Sequence, residues 1–206
     1  MNTAIRAASE TLQSVLADAM AADPVLKLLF TGAGTAVVSL ANPDEMHALG
    51  ASGISVWLYR IVRDEQRLNA PPERIGPDRI RPTPLPVRLH YLVSPVWGVE
   101  GAATPIETRH QMIGAILQTF HEKPLLSGVL LAGDYSGTTV ELAVRLESPD
   151  LESLARVWDS LDSAYQLSVS YEVSVISIYQ TAPDHSAVPV TRALPEYGTA
   201  SVVGAE

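Results

Sequence analysis

The chain has 206 residues, enough for one medium-sized domain that buries a core without disulfide or metal staples. It has no cysteine, which excludes disulfides, thiolate nucleophiles and cysteine-bound metal centres, and its formal charge of −9 disfavours nucleic acid and anionic membrane surfaces as partners. Hydrophobic residues make up 47% of the chain and charged residues only 18%, so apolar surface is left for partners and we expect an oligomer.

The first predicted element is a helix over residues 2–20, in which apolar side chains recur at steps of three and four. They are Ile5, Ala8, Leu12, Val15, Leu16 and Ala19. A short helical turn starts at Asp23-Pro24. Gly32-Ala33-Gly34 is predicted to end this turn before a strand over residues 35–40. These glycines lack the third glycine of a dinucleotide site and the lysine of a P-loop, so we interpret them as a turn.

The next predicted strand is Gly53–Arg63, which has apolar or aromatic side chains on both faces. Ile54, Val56 and Leu58 alternate with Trp57, Tyr59 and Ile61. Such a pattern is typical of a strand covered on both sides, so we expect this strand at the centre of a sheet.

The composition changes abruptly over residues 64–86, where six prolines are interleaved with four arginines. The arginines are Arg67, Arg74, Arg79 and Arg81. Neither a helix nor a paired strand tolerates so many missing N–H donors, so we predict a flexible loop. This loop is either a solvated linker or a docking arm that places guanidinium groups against acidic grooves of neighbouring subunits. The acidic balance of the chain favours the arm, and the four arginines are therefore candidate partner-interface residues.

An alternating strand, Val87–Val93, follows the loop and leads to Trp97. Trp97 is either a core residue or a fifth candidate interface residue, since small residues from Gly98 to Ala103 would leave it partly open. The segment Thr104-Pro105-Ile106-Glu107 is a capping box that starts a long helix, which Pro124 ends at Lys123.

A hairpin is predicted from Gly128–Ala132 and Thr139–Leu146, joined by a turn at residues 133–137. The glycine-rich sequence of this turn fits a hairpin better than a nucleophile elbow. Ser148-Pro149 then starts a further helix with one apolar stripe. The stripe consists of Leu151, Leu154, Ala155, Trp158 and Leu161.

The last predicted strand, Leu167–Tyr179, alternates apolar residues with serines and Glu172, which predicts one buried face and one solvated face. Residues 181–206 lack any sustained period and are predicted to be an extended or disordered tail. We therefore predict one α+β domain over residues 1–180, with a mixed, mostly antiparallel sheet packed by about four helices.

No arrangement of residues indicates a reaction centre. His110 and His121 lie eleven positions apart on one helix, too far to share a metal ion, and the other histidines have no acidic neighbours at ligand spacing. Asp159 and Asp162 are more typical of a solvated helix end than of an acid–base pair. The sequence predicts no catalytic residue, no cofactor and no metal site, and hence no enzyme. Because no run reaches the ~18 apolar residues needed to cross a bilayer, we expect a soluble cytoplasmic protein.

Seven segments stand in a distinctive order and spacing between about residues 2 and 180. They are Val56-Trp57-Leu58-Tyr59-Arg60, Leu89-His90-Tyr91-Leu92-Val93-Ser94, Arg109-His110-Gln111-Met112-Ile113-Gly114, His121-Glu122-Lys123-Pro124-Leu125-Leu126, Val140–Leu146, Leu154–Leu161 and Leu167-Ser168-Val169-Ser170-Tyr171-Glu172-Val173. This combination resembles the cap, or tail-terminator, proteins of contractile injection systems, which are phage-tail-like particles. The N-terminal domain of that family was formerly one of unknown function.

The resemblance implies a ring-forming α+β fold and a structural function. Six copies would close a homohexameric ring on top of an inner tube and against the last ring of the tail sheath. This cap would end polymerisation of tube and sheath and join the two at the distal end. The implied partners are further copies of the chain, the tail sheath protein and the inner tube protein, with no nucleic acid and no direct membrane contact. The protein would be cytoplasmic during assembly and then part of the particle, including a particle released from the cell.

Two other functions stay open from the sequence. A phage tail-completion or neck protein would share the fold but bind a head connector. A small-molecule-binding enzyme would have a concave pocket with perturbed titratable groups.

Overall fold

The structure is a computed structural model that describes residues 3–31, 36–67, 71–76, 78–97, 106–161, 164–179 and 185–186. Its helices are α1 (Ala4–Ala22), α2 (Lys27–Phe30), α3 (Pro43–Ala48), α4 (Ile106–Glu122) and α5 (Leu151–Asp159). Its strands are β1 (Val37–Ser39), β2 (Gly53–Arg63), β3 (Glu73–Arg74), β4 (Arg79–Arg81), β5 (Leu85–Val96), β6 (Leu125–Ser127), β7 (Glu141–Glu147), β8 (Val169–Ile178) and β9 (His185–Ser186). Short 3₁₀ helices cover Glu65–Arg67, Gly128–Leu130 and Gly133–Tyr135.

Six strands form the main sheet in the order β1-β2-β5-β8-β7-β6. Only β1 and β2 pair in parallel, and the other neighbours in this sheet are antiparallel. The remaining strands form a separate sheet in the order β3-β4-β9, which we call the accessory sheet. The prediction of an α+β fold with a mixed, mostly antiparallel sheet is confirmed, and the described part of the chain holds five α-helices rather than about four.

The additional helix is α3. The side chain of Asn42 accepts the backbone N–H of Glu45 at 2.7 Å, and the Glu45 carboxylate accepts the N–H of Asn42 at 3.0 Å. With Pro43 at the start of the helix, this is a complete capping box. A helix of six residues is too short to show a periodic apolar stripe, so only its cap could have revealed it.

The main core lies between one face of the main sheet and the helices α1 and α4. α1 buries Ala8, Leu12, Val15 and Leu16 of its predicted stripe, and α4 buries Met112, Ile113, Ile116 and Phe120, because side chains three and four positions apart share one side of a helix. The hydroxyls of Ser9 on α1 and Tyr91 on β5 are hydrogen-bonded at 2.8 Å, and Phe120 on α4 meets Tyr171 on β8 edge to face at 4.8 Å between ring centres. Aromatic side chains of the sheet therefore fix both helices against this face.

The buried position of Tyr91 predicts a dependence of stability on alkaline pH. Desolvation raises the pKa of Tyr91 from 10.0 to about 12. Above about pH 10 the unfolded chain loses this proton while the folded protein keeps it, so stability is intact below pH 10 and falls as the pH rises towards 12. We expect Tyr91→Phe to reduce this alkaline loss. The substitution also removes the hydrogen bond to Ser9, which should lower the free energy of unfolding at neutral pH by about 1 kcal/mol.

Urea denaturation at neutral and alkaline pH measures both effects. Tyr165→Phe is the matched control, because the ring of Tyr165 is half exposed and its hydroxyl has no hydrogen bond within the described residues. If the alkaline loss is the same in the Tyr91→Phe protein and in the wild type, the assignment of this titration to Tyr91 is wrong.

β2 lies next to the edge of the main sheet, so its predicted central position is wrong. β1 pairs only with Gly53–Ser55, and the rest of β2 has no partner on that side within the described residues. A β-bulge at Tyr59 shifts the pairing with β5 between Leu58 and Arg60. Ile61 therefore lies on the same face as Leu58, not on the opposite face as strict alternation predicts, and it is half exposed.

The serine face of β8 is buried, which contradicts the predicted solvated face. Ser168, Ser170 and Ser174 are all less than a tenth exposed. Ser170 donates its hydroxyl hydrogen to the Glu147 carboxylate at 2.8 Å, and the indole N–H of Trp158 donates to the Ser168 hydroxyl at 3.3 Å. Hydrogen-bonded polar groups are tolerated in the interior, so a polar strand face does not by itself indicate solvent.

Two predicted boundaries in the second half of the chain are wrong. The first strand of the β6–β7 hairpin is Leu125–Ser127, and the predicted strand at 128–132 instead begins with a 3₁₀ helix entered at Gly128, which has a φ of +59°. The N-cap of α5 is Asp150 rather than Ser148, because the Asp150 carboxylate accepts the N–H of Ser153 at 2.6 Å. This hydrogen bond holds the pKa of Asp150 below its usual range.

Some predicted features lie outside the described residues. They are the glycine turn at 32–34, the cap at Thr104-Pro105, the acidic residue Asp162 and most of the tail. The domain limits of 1–180 and 181–206 accordingly stay predictions.

Candidate assembly surfaces

The segment 64–86, predicted as an unpaired loop, contains the strands β3 and β4 and the start of β5, where Pro86 lies opposite Ser177 of β8. Glu73 pairs with Arg81, and Arg74 pairs with Ile80. No proline of the segment occupies one of these four positions, so the missing N–H donors do not interrupt the pairing. The prediction that this segment forms no paired strand is wrong for that reason.

The accessory sheet is completed by residues from the predicted tail. His185 pairs with Ile80, and Ser186 pairs with Arg79, so β9 lies along the free side of β4. The tail and the proline-rich segment, which are distant in the sequence, thus form one surface feature.

Three of the four candidate arginines lie together on the accessory sheet. Arg74 and Arg79 are exposed, whereas Arg81 is partly buried and forms an ion pair with Glu73 across the strands at 3.4 Å. An exposed pair of this kind contributes only about 0–1 kcal/mol to stability. The accessory sheet therefore presents guanidinium groups to solvent on a folded support, rather than on a loop that becomes ordered only on a partner.

Arg67 is not part of this group. It ends the 3₁₀ helix Glu65–Arg67, directly after β2, and its side chain lines a groove together with Arg88 and Arg145. The structure thus separates the four predicted arginines into two surfaces.

Trp97, the fifth candidate, follows β5 and packs against the main core while part of it stays exposed. Its backbone carbonyl is hydrogen-bonded to Nδ1 of His47 at 2.9 Å, which joins the end of β5 to α3. This packing agrees with the interpretation as a core residue, and its role as a contact stays a prediction.

The face of the main sheet opposite α1 carries a polar network that the sequence analysis did not find. Nδ1 of His90 is hydrogen-bonded to the Glu147 carboxylate at 2.9 Å, and the hydroxyls of Ser170 and Tyr59 are 3.2 Å apart. Ser170 also donates to Glu147. The alternating serines of β8 were the only signal in the sequence, because the partners come from three other strands.

This network does not have the geometry of a hydrolytic triad. In a triad the serine contacts one ring nitrogen of the histidine and the carboxylate contacts the other. Here Ser170 contacts the carboxylate of Glu147 directly, and it is only 2% exposed, so no substrate atom reaches it.

The same region brings together three groups that are able to ligate a metal ion. Ligand atoms of His90, Glu147 and Glu172 lie within 4.8 Å of one another. All three are already engaged by protein partners, since Glu147 binds His90 and Ser170 while Glu172 accepts a hydrogen bond from Arg88 at 3.4 Å. The internal hydrogen bonds account for the cluster without a cation.

Arg88 is the centre of a second set of charges. Its guanidinium group donates to Asp64, which is 2% exposed, at 3.0 Å and to Glu172 at 3.4 Å. Partial burial acts to lower the pKa of Arg88, but the hydrogen bonds and charges of the two carboxylates outweigh this and raise it. The N–H of Asp64 also donates to the carbonyl of Pro86 at 2.9 Å, so this pair closes the base of the segment that carries the accessory sheet.

Among the helices that the structure describes, none combines the length and the apolar character needed to span a membrane.

Two solved structures share this fold. One, described as the sheath/tube terminator of an extracellular contractile injection system, PVC, in its extended state, is 19% identical with a TM-score of 0.56, and the match covers 92% of this chain and 64% of that chain. The other, described as the tube terminating cap of the anti-feeding prophage, is 22% identical with a TM-score of 0.56, and the match covers 83% of this chain and 58% of that one. The chain thus spans less than two thirds of either protein. Neither is described as an enzyme.

The fold is therefore one found in terminating caps of contractile injection systems, as the sequence resemblance predicts. A search of curated proteins finds no match. The model of the Pvc16 N-terminal domain family matches residues 7–192, and the chain belongs to that family.

Proposed function

We propose that this chain is the structural cap of a contractile injection system, which ends polymerisation of the inner tube and the sheath and joins the two at the distal end. The observation that carries the proposal is the family match over residues 7–192, together with a fold shared with a sheath/tube terminator and a tube terminating cap. This favours an injection system over the alternative of a phage tail-completion or neck protein.

The cap is a homohexameric ring that contacts the tail sheath protein, the inner tube protein and its own copies. Large apolar side chains exposed on several elements support self-association, among them Leu28, Leu49 and Val129. The acidic balance of the chain argues against nucleic acid as a partner. The ring is assembled in the cytoplasm and then belongs to the particle, with no direct membrane contact.

The cap acts by shape and does no chemistry. The geometry around Ser170 and His90 supports this, because both side chains are hydrogen-bonded to the Glu147 carboxylate inside the protein. The surfaces left for partners are the exposed arginines of the accessory sheet and, on the main domain, Arg67 and the exposed part of Trp97.

The test replaces residues 71–81 with a short glycine–serine linker, which removes β3 and β4 but keeps Asp64 and all of β5. The main domain should stay folded, because the Asp64–Arg88 pair at the base of the segment is intact. Particles assembled with this variant should be longer and more variable in length than normal, as measured by electron microscopy.

Arg74→Gln/Arg79→Gln is the matched variant that keeps the accessory sheet and removes two exposed charges. If particles assembled with this double variant are also overlong, the two arginines make the contact with tube or sheath. If these particles have the normal length, the contact depends on the shape of the accessory sheet instead. Particles of normal length made without any copy of this chain would contradict the proposed function.

A further inference from the structure

A groove on the main domain is lined by arginines from three separate elements. Arg67 comes from the 3₁₀ helix after β2, Arg88 from β5 and Arg145 from β7. We call it the arginine groove, and we propose that it binds a carboxylate side chain of a second copy of this chain. This inference rests on the proposed ring of copies.

The three arginines do not have the same internal partners. Arg88 is held by Asp64 and Glu172, so its charge is already compensated within the chain. Arg67 and Arg145 are exposed and form no ion pair within the part of the chain that the structure describes. Other exposed arginines are of two kinds. Arg156 pairs with Glu152, whereas Arg74 and Arg79 form no ion pair among the described residues.

Arg88 also has one unused donor. Nε of Arg88 is buried and has no hydrogen-bond acceptor within the described residues. A carboxylate suits the exposed Arg67 and Arg145, because it accepts two N–H groups of a guanidinium in one plane.

A second copy is the occupant that the charges favour. The chain has 23 acidic and 14 basic residues, so a ring of identical copies brings acidic surfaces together. Such a ring closes only where each contact sets basic groups against these acids, since like charges placed opposite each other disfavour association. Among the described residues, the arginine groove has two guanidinium groups without an ion pair and one exposed carboxylate, Glu141, so a positive excess remains. The exposed Leu125 of β6 lies beside them, and this combination of charge and apolar surface fits a protein contact.

The test uses the full chain with Arg67→Glu/Arg145→Glu and compares self-association by sedimentation velocity over a range of protein and salt concentrations. We expect the dissociation constant for self-association to rise about tenfold or more, because attraction becomes repulsion at the contact. Association of the wild type should weaken with added salt, while the small remaining association of the variant should not.

Lys27→Glu/Arg60→Glu is the matched control, since it changes the net charge equally at two exposed residues outside the groove. Circular dichroism and urea denaturation establish that both variants are folded. Equal weakening in the two variants would overturn the inference, because net charge alone would then explain it, and so would a wild type that stays monomeric at every concentration.

The inference and the proposed function fail in different ways. If self-association survives the groove substitutions while the variant lacking residues 71–81 still gives overlong particles, the groove assignment is wrong and the cap function stands. If self-association is lost as expected but particles without the chain keep their normal length, the groove is a contact between copies and the cap function is wrong.

Discussion

Replacing Arg88 with methionine is expected to lower the free energy of unfolding by about 3–5 kcal/mol, because a buried carboxylate then has no cation beside it. Asp64 is 2% exposed and Glu172 is 14% exposed, and both are held by the Arg88 guanidinium group. Methionine keeps much of the apolar stem and removes the charge. Urea denaturation followed by tryptophan fluorescence, at one fixed protein concentration, measures the change.

Arg67→Met is the matched control, because Arg67 is exposed and has no ion pair among the described residues. Its effect on stability should stay within about 0.5 kcal/mol, as for most surface substitutions. An Asp64→Asn substitution added to Arg88→Met should recover part of the loss, since it removes one of the two uncompensated charges. If Arg88→Met is as stable as Arg67→Met, Asp64 does not depend on Arg88 and this account of the pair is wrong.

The predicted elements that the structure confirms are those with a local and periodic signal. The stripe from Leu12 to Leu16 placed α1, and the limits of β2 were predicted to the residue. The second strand of the predicted hairpin is present as β7, but its antiparallel partner is Leu125–Ser127 and not the predicted 128–132. Periodicity reports which side of an element is apolar, and that suffices for the fold class.

The wrong predictions of buried and exposed strand faces in the main sheet have a different physical origin. A β-bulge inserts one residue and exchanges the two faces, so strict alternation assigned Ile61 to the wrong side. The serines of β8 looked solvated because their partners, Glu147 and Trp158, are distant in the sequence. Both errors concern pairing between strands, which a single strand's pattern does not encode.

The candidate surfaces were predicted by residue type and not by arrangement. Of the four arginines of segment 64–86, three lie on the accessory sheet and Arg67 lies in the arginine groove. Nothing in the sequence marked Arg88 or Arg145 as an interface residue, because the residues on either side of each in its strand are apolar. Their convergence depends on the strand order β5-β8-β7, which follows only from the whole fold.

Gly53→Ala is expected to destabilise the protein by about 3 kcal/mol through the junction of β1 and β2. Gly53 has a φ of +138°, a conformation that residues with a side chain rarely adopt. A Cβ atom there would lie 2.0 Å from the carbonyl oxygen of Val37 and 2.5 Å from its nitrogen, so the backbone of β1 would have to move. That movement would break the parallel pairing of Val37 with Gly53 and of Val38 with Ile54.

The effect should be concentrated at this edge of the sheet. The Val38 carbonyl accepts a hydrogen bond from Gln13 on α1 at 2.7 Å, so displacement of β1 also loosens one end of the main core. Hydrogen exchange of residues 36–41 should therefore rise more than that of β5, and urea denaturation should give the loss in total stability. Gly114→Ala is the control, because Gly114 is exposed on α4 with no atom near its added Cβ, and this change should stabilise the protein by about 0.5–1 kcal/mol. If both alanine substitutions stabilise the protein alike, close packing of β1 against Gly53 is not what holds this edge together.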